Sequence, residues 1–161
     1  MTKPVMKTCW LLRDPAIERD VLAFWREEQF LPSVADAAMR LKDICVVAYD
    51  GARIIAVLEA RLRVLQMVRS RIAMLRLAVS PAMRQSRLAT EMIPVGQRVL
   101  EQWSVENPQE KLMGTGCIVQ TKVADQKLRQ PVWPQSSLMV INYTQKGEQM
   151  RLAWFKHATL S

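Results

Sequence analysis

The stretch that decides the fold is RLAVSPAMRQSRLATEM, which runs from Arg76 to Met92. Its first residues are typical of a strand, Pro81 interrupts them, and apolar residues at helical spacing follow from Leu88. The stretch therefore predicts a strand that leads directly into a helix. A helix N-terminus leaves backbone N–H groups unpaired and carries a partial positive charge, to which Arg84 and Arg87 add full charges. On the residues alone, this join is either an anion-binding turn or an ordinary turn with two solvated arginines.

Seven strands and four helices are predicted along the chain, in the order β, α, α, β, β, β, α, β, α, β, β. Asp14 before Pro15 predicts a helix start, because Asp offers an N-cap oxygen and Pro suits the first turn. Ser33 with Asp36 resembles a capping box and predicts a second start. The predicted strands are Lys7–Arg13, Ile44–Tyr49, Ala52–Leu65, Arg71–Ser80, Lys111–Val119, Leu138–Tyr143 and Gln149–Phe155. The predicted helices begin at Pro15, Val34, Leu88 and Lys122, and the last one ends at Gln130.

Length and charge limit the classes of protein that the chain can be. At 161 residues it is the size of one domain, so residues 1–161 are predicted to form a single one. Lys and Arg outnumber Asp and Glu by 23 to 15, which gives a net charge of +8. Such an excess attracts anionic partners such as phosphates, nucleic acids or acidic proteins, although it is also compatible with a plain basic surface.

The cysteines and the single histidine exclude further classes. Cys9, Cys45 and Cys117 lack CxxC spacing and lie in apolar runs, so they are predicted to be buried thiols of a cytoplasmic protein. His157 is the only histidine, so no metal site is predicted. No apolar stretch is long enough for a bilayer span, and no membrane association is expected.

The opening stretch resembles the GNAT superfamily of acyl-CoA-dependent N-acyltransferases. In that family the fourth strand ends in L-x-V-x-P and is followed by R-x-x-G-x-G/A at the start of a long helix, where backbone amides hold the cofactor pyrophosphate. This chain has LAVSP at Leu77–Pro81 and RQSRLA at Arg84–Ala89. The order of elements is also that of the family. The resemblance implies an α/β fold with a mixed, mostly antiparallel sheet of about seven strands flanked by about four helices.

The resemblance also implies which residues bind acetyl-CoA or another acyl-CoA. Residues Leu77, Ala78 and Val79 match the strand segment whose backbone pairs with the pantetheine arm. The pyrophosphate loop matches Arg84, Gln85, Ser86, Arg87, Leu88, Ala89 and Thr90. In the family, the fourth and fifth strands diverge at this point and leave a slot for the thioester.

One position departs from the pyrophosphate motif, which is therefore degenerate. The middle glycine of the family is Arg87 here, and a Cβ can crowd a phosphate that approaches the backbone. Either the Arg87 guanidinium pairs with a phosphate oxygen, or the loop no longer accepts CoA. We expect the first.

The catalytic groups that the family often uses are not evident. Members frequently have a Glu base on a central strand and a Tyr acid after the fifth strand. Glu59 is the one acid within a central apolar strand, although pairing with Arg61, Arg63 or Arg76 is the more ordinary role for it. Tyr143 is a weak candidate for the acid. Cys117 is more simply a core cysteine than an acyl-accepting nucleophile.

The function implied by the resemblance is transfer of an acyl group to an amine by direct attack in a ternary complex. A catalytically inactive binding or regulatory module on the same fold is the alternative. The net charge is also compatible with an acyl carrier protein as donor or an RNA-linked amine as acceptor. A homodimer is compatible with the sequence, which does not identify the acceptor amine.

Overall fold

The computed structural model describes residues 3–30, 33–119 and 129–160. Its α-helices are α1 (Pro15–Glu27), α2 (Val34–Leu41) and α3 (Leu88–Glu106). Its strands are β1 (Val5–Thr8), β2 (Ile44–Asp50), β3 (Arg53–Leu65), β4 (Ser70–Val79), β5 (Leu112–Val119), β6 (Met139–Tyr143) and β7 (Gln149–Trp154). Within this described part, no helix is both long and apolar enough to cross a membrane.

The strands form a seven-stranded sheet in the order β1-β2-β3-β4-β5-β7-β6. The β4/β5 pair is parallel, whereas β1/β2, β2/β3, β5/β7 and β6/β7 are antiparallel. This arrangement confirms the predicted α/β class with a mixed, mostly antiparallel sheet of seven strands. The fourth predicted helix, Lys122–Gln130, falls mostly on residues 120–128, which lie outside the described residues.

The first strand is shorter than the sequence predicts. The prediction of a strand over Lys7–Arg13 is wrong beyond Thr8, where β1 ends. At Cys9 the chain turns, and the Leu12 N–H donates to the Cys9 carbonyl oxygen over 3.1 Å. The turn allows the chain to enter α1 after a strand of only four residues.

The helix starts confirm the predicted caps. Asp14 Oδ1 accepts a hydrogen bond of 2.9 Å from the Ala16 N–H at the start of α1. At the start of α2, Ser33 Oγ accepts from the Asp36 N–H over 3.2 Å and donates to the Asp36 carboxylate over 2.8 Å. These bonds satisfy backbone donors that a helix start leaves unpaired.

The chain divides into two compact units, of which the first comprises Met1–Ala60 and Leu77–Val99. Its core joins the apolar stripe of α1 to residues of the sheet. The buried members of this core are Cys9, Ile17, Val21, Phe24, Trp25, Ile44, Val47, Tyr49, Ile54, Val57 and Ala78. The four α1 residues among them follow one another at spacings of four, three and one, which places them on one face of the helix.

In the same unit, α3 packs closely on β3 at a glycine. A Cβ added to Gly96 would lie 2.4 Å from Leu58 Cδ2, and Leu58 is fully buried. A side chain at position 96 would therefore require Leu58 to move within the buried core. Pro94 also lies inside α3, which nevertheless continues from Leu88 to Glu106.

The second unit comprises Arg61–Arg76 and Leu100–Ser161. Its centre is β5, which pairs with β4 on one side and with β7 on the other. Glycines on β5 allow close approach of the neighbouring backbone, since a Cβ at Gly114 would lie 2.4 Å from the Ala153 carbonyl oxygen.

Candidate functional site

The join between β4 and α3 lies within the first unit. After β4 ends at Val79, the Ser80 N–H donates to the Ile55 carbonyl oxygen over 2.8 Å. Ser80 Oγ donates to Glu28 Oε1 over 3.3 Å. A 3-10 turn over Pro81–Met83 follows, and α3 begins five residues later at Leu88. The strand-to-helix connection that the opening stretch predicts is therefore present.

Ser86 organises the segment before α3 through its side chain. Its hydroxyl donates to the Met83 carbonyl oxygen over 2.6 Å and accepts from the Leu88 N–H over 3.3 Å. The Arg87 carbonyl oxygen then accepts the first helical hydrogen bond, from the Glu91 N–H, over 3.1 Å. The first turn of α3 is therefore held in place by a serine that is itself exposed.

Several backbone donors at the start of α3 keep their hydrogen-bonding capacity. Among the described residues, no acceptor is bonded to the N–H groups of Gln85, Arg87, Ala89 or Thr90. Such donors are a general property of helix starts and normally bond to water. Because three of them lie in one helical turn, they form an array that suits an oxyanion.

The charged side chains of this segment are also available. Arg84 and Arg87 are exposed, and neither forms an ion pair with any described residue. Glu91 is the opposing charge in the first turn of α3, where a carboxylate is also favoured by the helix dipole. The start of α3 therefore has one negatively charged group, the Glu91 carboxylate, and two positively charged guanidinium groups in addition to the unpaired N–H groups.

The strand residues assigned to the pantetheine arm lie just before this turn. Ala78 is buried in the core of the first unit, while Leu77 and Val79 are half-buried. In the second unit, the β4/β5 ladder covers four residue pairs and ends at Met74 and Gly116. Both strands continue beyond that last pair, so the two stop pairing before either strand ends.

Glu59 forms a buried ion pair that the sequence does not predict. Its partner is Arg40 of α2 rather than Arg61, Arg63 or Arg76. Arg40 Nε donates to Oε1 over 2.9 Å and Nη2 donates to Oε2 over 2.7 Å, so both carboxylate oxygens are engaged. The two residues are 6% and 4% exposed. This geometry favours a structural role for Glu59 over proton transfer.

Arg40 has two further contacts, which explain how a buried guanidinium is accommodated. Nη1 donates to the Phe30 carbonyl oxygen over 2.7 Å, and the guanidinium carbon lies 4.2 Å from the centre of the Trp25 ring. Arg40 therefore links α2, the end of α1 and β3. The sequence did not indicate that Arg40 is buried, because a basic residue in the last turn of a helix is common.

Neither Tyr143 nor Cys117 is placed in a polar cleft. Tyr143 ends β6 with 58% of its surface exposed. Cys117 lies opposite Arg151 in the β5/β7 ladder. Burial raises the pKa of the Cys117 thiol from 9.0 to about 11, although the nearby Arg151 charge acts in the opposite direction. At neutral pH this thiol is protonated, which argues against a nucleophile. Cys9 and Cys45 are buried as predicted, whereas the prediction is wrong for Cys117, which is half-buried because it lies near the end of β5.

A second buried arginine, Arg151, was also not predicted from the sequence. Arg151 of β7 is 0% exposed, and its guanidinium donates to the carbonyl oxygens of Gln130 (2.7 Å) and Leu138 (3.0 Å). It lies 4.0 Å from the centre of the Trp133 ring. Burial lowers the pKa of Arg151. The segment before β6 is thus attached to β7 by one side chain.

Comparison with known proteins relates this geometry to a fold. No protein-family model and no curated protein matches the sequence. Solved structures do match. A GNAT-family acetyltransferase from Streptococcus pneumoniae is 10% identical with a TM-score of 0.58, and the match covers 95% of this chain and 99% of that one.

Two ligand-bound enzymes match over nearly their whole length. Arabidopsis thaliana NAA60 in complex with acetyl-CoA is 12% identical with a TM-score of 0.58, and the match covers 95% of this chain and 99% of that one. An aminoglycoside 6'-N-acetyltransferase complexed with coenzyme A is 10% identical with a TM-score of 0.54, at coverages of 93% and 96%. The sheet order, the strand-to-helix join and these matches together show that the chain has the GNAT fold.

Proposed function

We propose that the chain is a single-domain acyl-CoA-dependent N-acyltransferase that uses acetyl-CoA and transfers the acyl group to an amine by direct attack in a ternary complex. The observation that carries this proposal is the array of unpaired N–H groups at Arg87, Ala89 and Thr90, flanked by two unpaired arginines. The array lies at the start of α3, directly after β4, in a GNAT fold.

The residues present suit a diphosphate. Backbone donors at the first turn of α3 bind phosphate oxygens without any change of conformation, because Ser86 already fixes that turn. The guanidinium groups of Arg84 and Arg87 bind phosphate bidentately. We assign the pantetheine arm to the backbone of Leu77–Val79, which an extended chain meets as an added strand. The early end of the β4/β5 ladder at Met74 supports this assignment.

When bound, acetyl-CoA supplies an acyl group activated as a thioester. The chain's part is to orient that group and to receive the amine in its neutral form. Attack by the amine forms the new C–N bond and breaks the C–S bond of the thioester, and Tyr143 is the candidate acid that protonates the departing thiolate. Glu59 was the candidate base, but its carboxylate is already engaged. Because both oxygens of Glu59 bind Arg40, we infer that the amine loses its proton to water before it attacks. The dependence of kcat/KM on pH then follows the pKa of the amine rather than that of a protein carboxylate.

Calorimetry with acetyl-CoA tests the donor assignment. Wild-type protein is expected to bind, and Arg84→Gln is expected to weaken binding about tenfold, since one charge-assisted hydrogen bond contributes about 1.5 kcal/mol or more. The matched control is Arg98→Gln, because Arg98 is an exposed α3 arginine with the same charge and no ion pair among the described residues. Absence of heat at millimolar acetyl-CoA would remove the donor assignment.

Arg87 separates the two interpretations of the degenerate motif. Arg87→Gly restores the residue that the family has at this position. If the guanidinium binds phosphate, this variant binds acetyl-CoA more weakly than wild type. Tighter binding would instead mean that the side chain crowds the turn, and that the wild-type loop is impaired.

A catalytically inactive binding module is the second candidate. The engagement of Glu59 by Arg40 and the exposed position of Tyr143 favour it. The two candidates differ in release of free thiol from acetyl-CoA in the presence of a panel of amines, with acyl carrier protein thioesters as a second donor. Thiol release above the amine-free rate supports the enzyme. Binding without turnover of either donor supports the module.

A further inference from the structure

One segment of the chain has an unusual charge composition. Between Glu59 and Glu91 there are seven arginines and no Asp, Glu or Lys. Five of these arginines lie in the part of the β3–β4 hairpin that belongs to the second unit, which we call the arginine hairpin (Arg61–Arg76). They are Arg61, Arg63, Arg69, Arg71 and Arg76. The hairpin has a charge of +5, which is more than half of the net charge of +8.

Three of the five hairpin arginines are exposed, and the other two, Arg61 and Arg71, are half-buried. Burial changes along β3, whose residues from Ile54 to Ala60 are buried, whereas the residues from Arg61 onwards are half-buried or exposed. Arg63, Arg69 and Arg76 are all exposed. Arg63 and Arg76 have no carboxylate partner in the part of the chain that the structure describes, and Arg71 pairs with Glu110.

Protection of a sheet edge does not explain the choice of Arg. The described β2/β3 ladder ends at Glu59 although β3 continues to Leu65, so Arg61 and Arg63 lie on a part of β3 that has no β2 partner. Charged residues at such an edge prevent one sheet from pairing with another, but Lys serves that purpose as well as Arg. Arg61 and Arg63 also lie two residues apart on β3, so their side chains leave the same face of the strand.

We propose that the arginine hairpin is a docking surface for the phosphate backbone of RNA. The exclusive use of Arg favours phosphate, because the planar guanidinium binds phosphate bidentately, whereas a plain basic surface has no reason to omit Lys. The positions open to phosphates are Arg63 on β3 and Arg76 on β4, which are exposed and have no carboxylate partner among the described residues. The proposal concerns binding and does not depend on acyl transfer.

The test measures binding of a short fluorescein-labelled single-stranded RNA of mixed sequence by anisotropy, without acyl-CoA, at several KCl concentrations. Arg63→Gln/Arg76→Gln is expected to weaken binding about a hundredfold, because each of the two arginines loses a charge-assisted hydrogen bond that contributes about tenfold. It should also reduce the slope of log K against log salt by roughly 1.4, since each single-strand phosphate contact contributes about 0.7. Acetyl-CoA affinity of this variant should equal that of wild type.

A control with the same change in charge separates the hairpin from net charge. Arg26→Gln/Arg98→Gln removes two exposed arginines of α1 and α3 that have no ion pair among the described residues. It should change RNA affinity by less than about twofold if the hairpin is the site. Equal losses in both double variants would overturn the proposal. No RNA binding at low salt, or tighter binding of polyglutamate than of RNA, would also overturn it, the latter in favour of an acidic protein partner.

Discussion

The buried pair of Arg40 and Glu59 leads to the sharpest prediction. Replacing Glu59 by Leu leaves the Arg40 guanidinium, 6% exposed, without its carboxylate. Breaking a buried pair in this way costs about 3–5 kcal/mol, because the remaining charge stays desolvated. For a chain of this length, each kcal/mol lowers Tm by about 2–4 °C. We therefore expect Glu59→Leu to lower Tm by about 6–20 °C.

The double variant Arg40→Met/Glu59→Leu should be more stable than either single variant, because it leaves no unpaired charge. Urea denaturation followed by tryptophan fluorescence measures all three. The exposed pair of Arg53 and Glu27 supplies the control, since Glu27→Ala should cost less than about 1 kcal/mol. The reasoning is refuted if Glu59→Leu costs no more than this control. A stable Glu59→Gln protein that binds acetyl-CoA but has lost amine-dependent thiol release would show that Glu59 is the base.

Three further predictions follow from single positions. Gly114→Ala should destabilise the protein by more than about 2 kcal/mol in urea denaturation, because the new Cβ would lie 2.4 Å from the Ala153 carbonyl oxygen, a backbone atom; an unchanged midpoint would contradict this. Ser86→Ala should cost about 1 kcal/mol and weaken acetyl-CoA binding, because the Leu88 N–H loses its acceptor; calorimetry that finds unchanged affinity would separate Ser86 from the site. Burial raises the pKa of Cys117 from 9.0 to about 11, so its contribution to stability is present below pH 9 and is lost as the pH rises towards 11. Urea midpoints measured across that range test this contribution, and Cys117→Ser, whose hydroxyl does not titrate there, should show less of the decline.

The elements with local signals were predictable from the sequence. Asp14 and Ser33 carry their capping oxygens in the positions where the helices begin. The connection from Val79 to Leu88 was equally predictable, because the spacing of apolar residues changes from that of a strand to that of a helix within a few residues. These signals come from residues that are close together in the sequence. They can therefore be recognised without knowledge of how the chain folds.

The partners of the buried charges were not predictable in the same way. Glu59 was expected to pair with arginines on its own or a neighbouring strand, but its partner lies nineteen residues earlier in α2. Arg151 contacts carbonyl oxygens up to 21 residues away. Which of 23 basic residues is buried depends on how helices pack on the sheet, and composition contains no information about that. The prediction that the first strand continues to Arg13 failed for a related reason. The strand ends at Thr8 because the chain has to turn there to reach α1.

The position of β7 has a consequence for biosynthesis. Of the described strands, β7 comes last in the sequence, yet it lies between β5 and β6 and forms both of their antiparallel ladders. A nascent chain that has emerged only as far as Tyr143 therefore has β5 with an open edge and β6 with no strand to pair with. The sheet cannot close until β7 has emerged from the ribosome, and a ribosome stalled before Gln149 would present an aggregation-prone edge to chaperones.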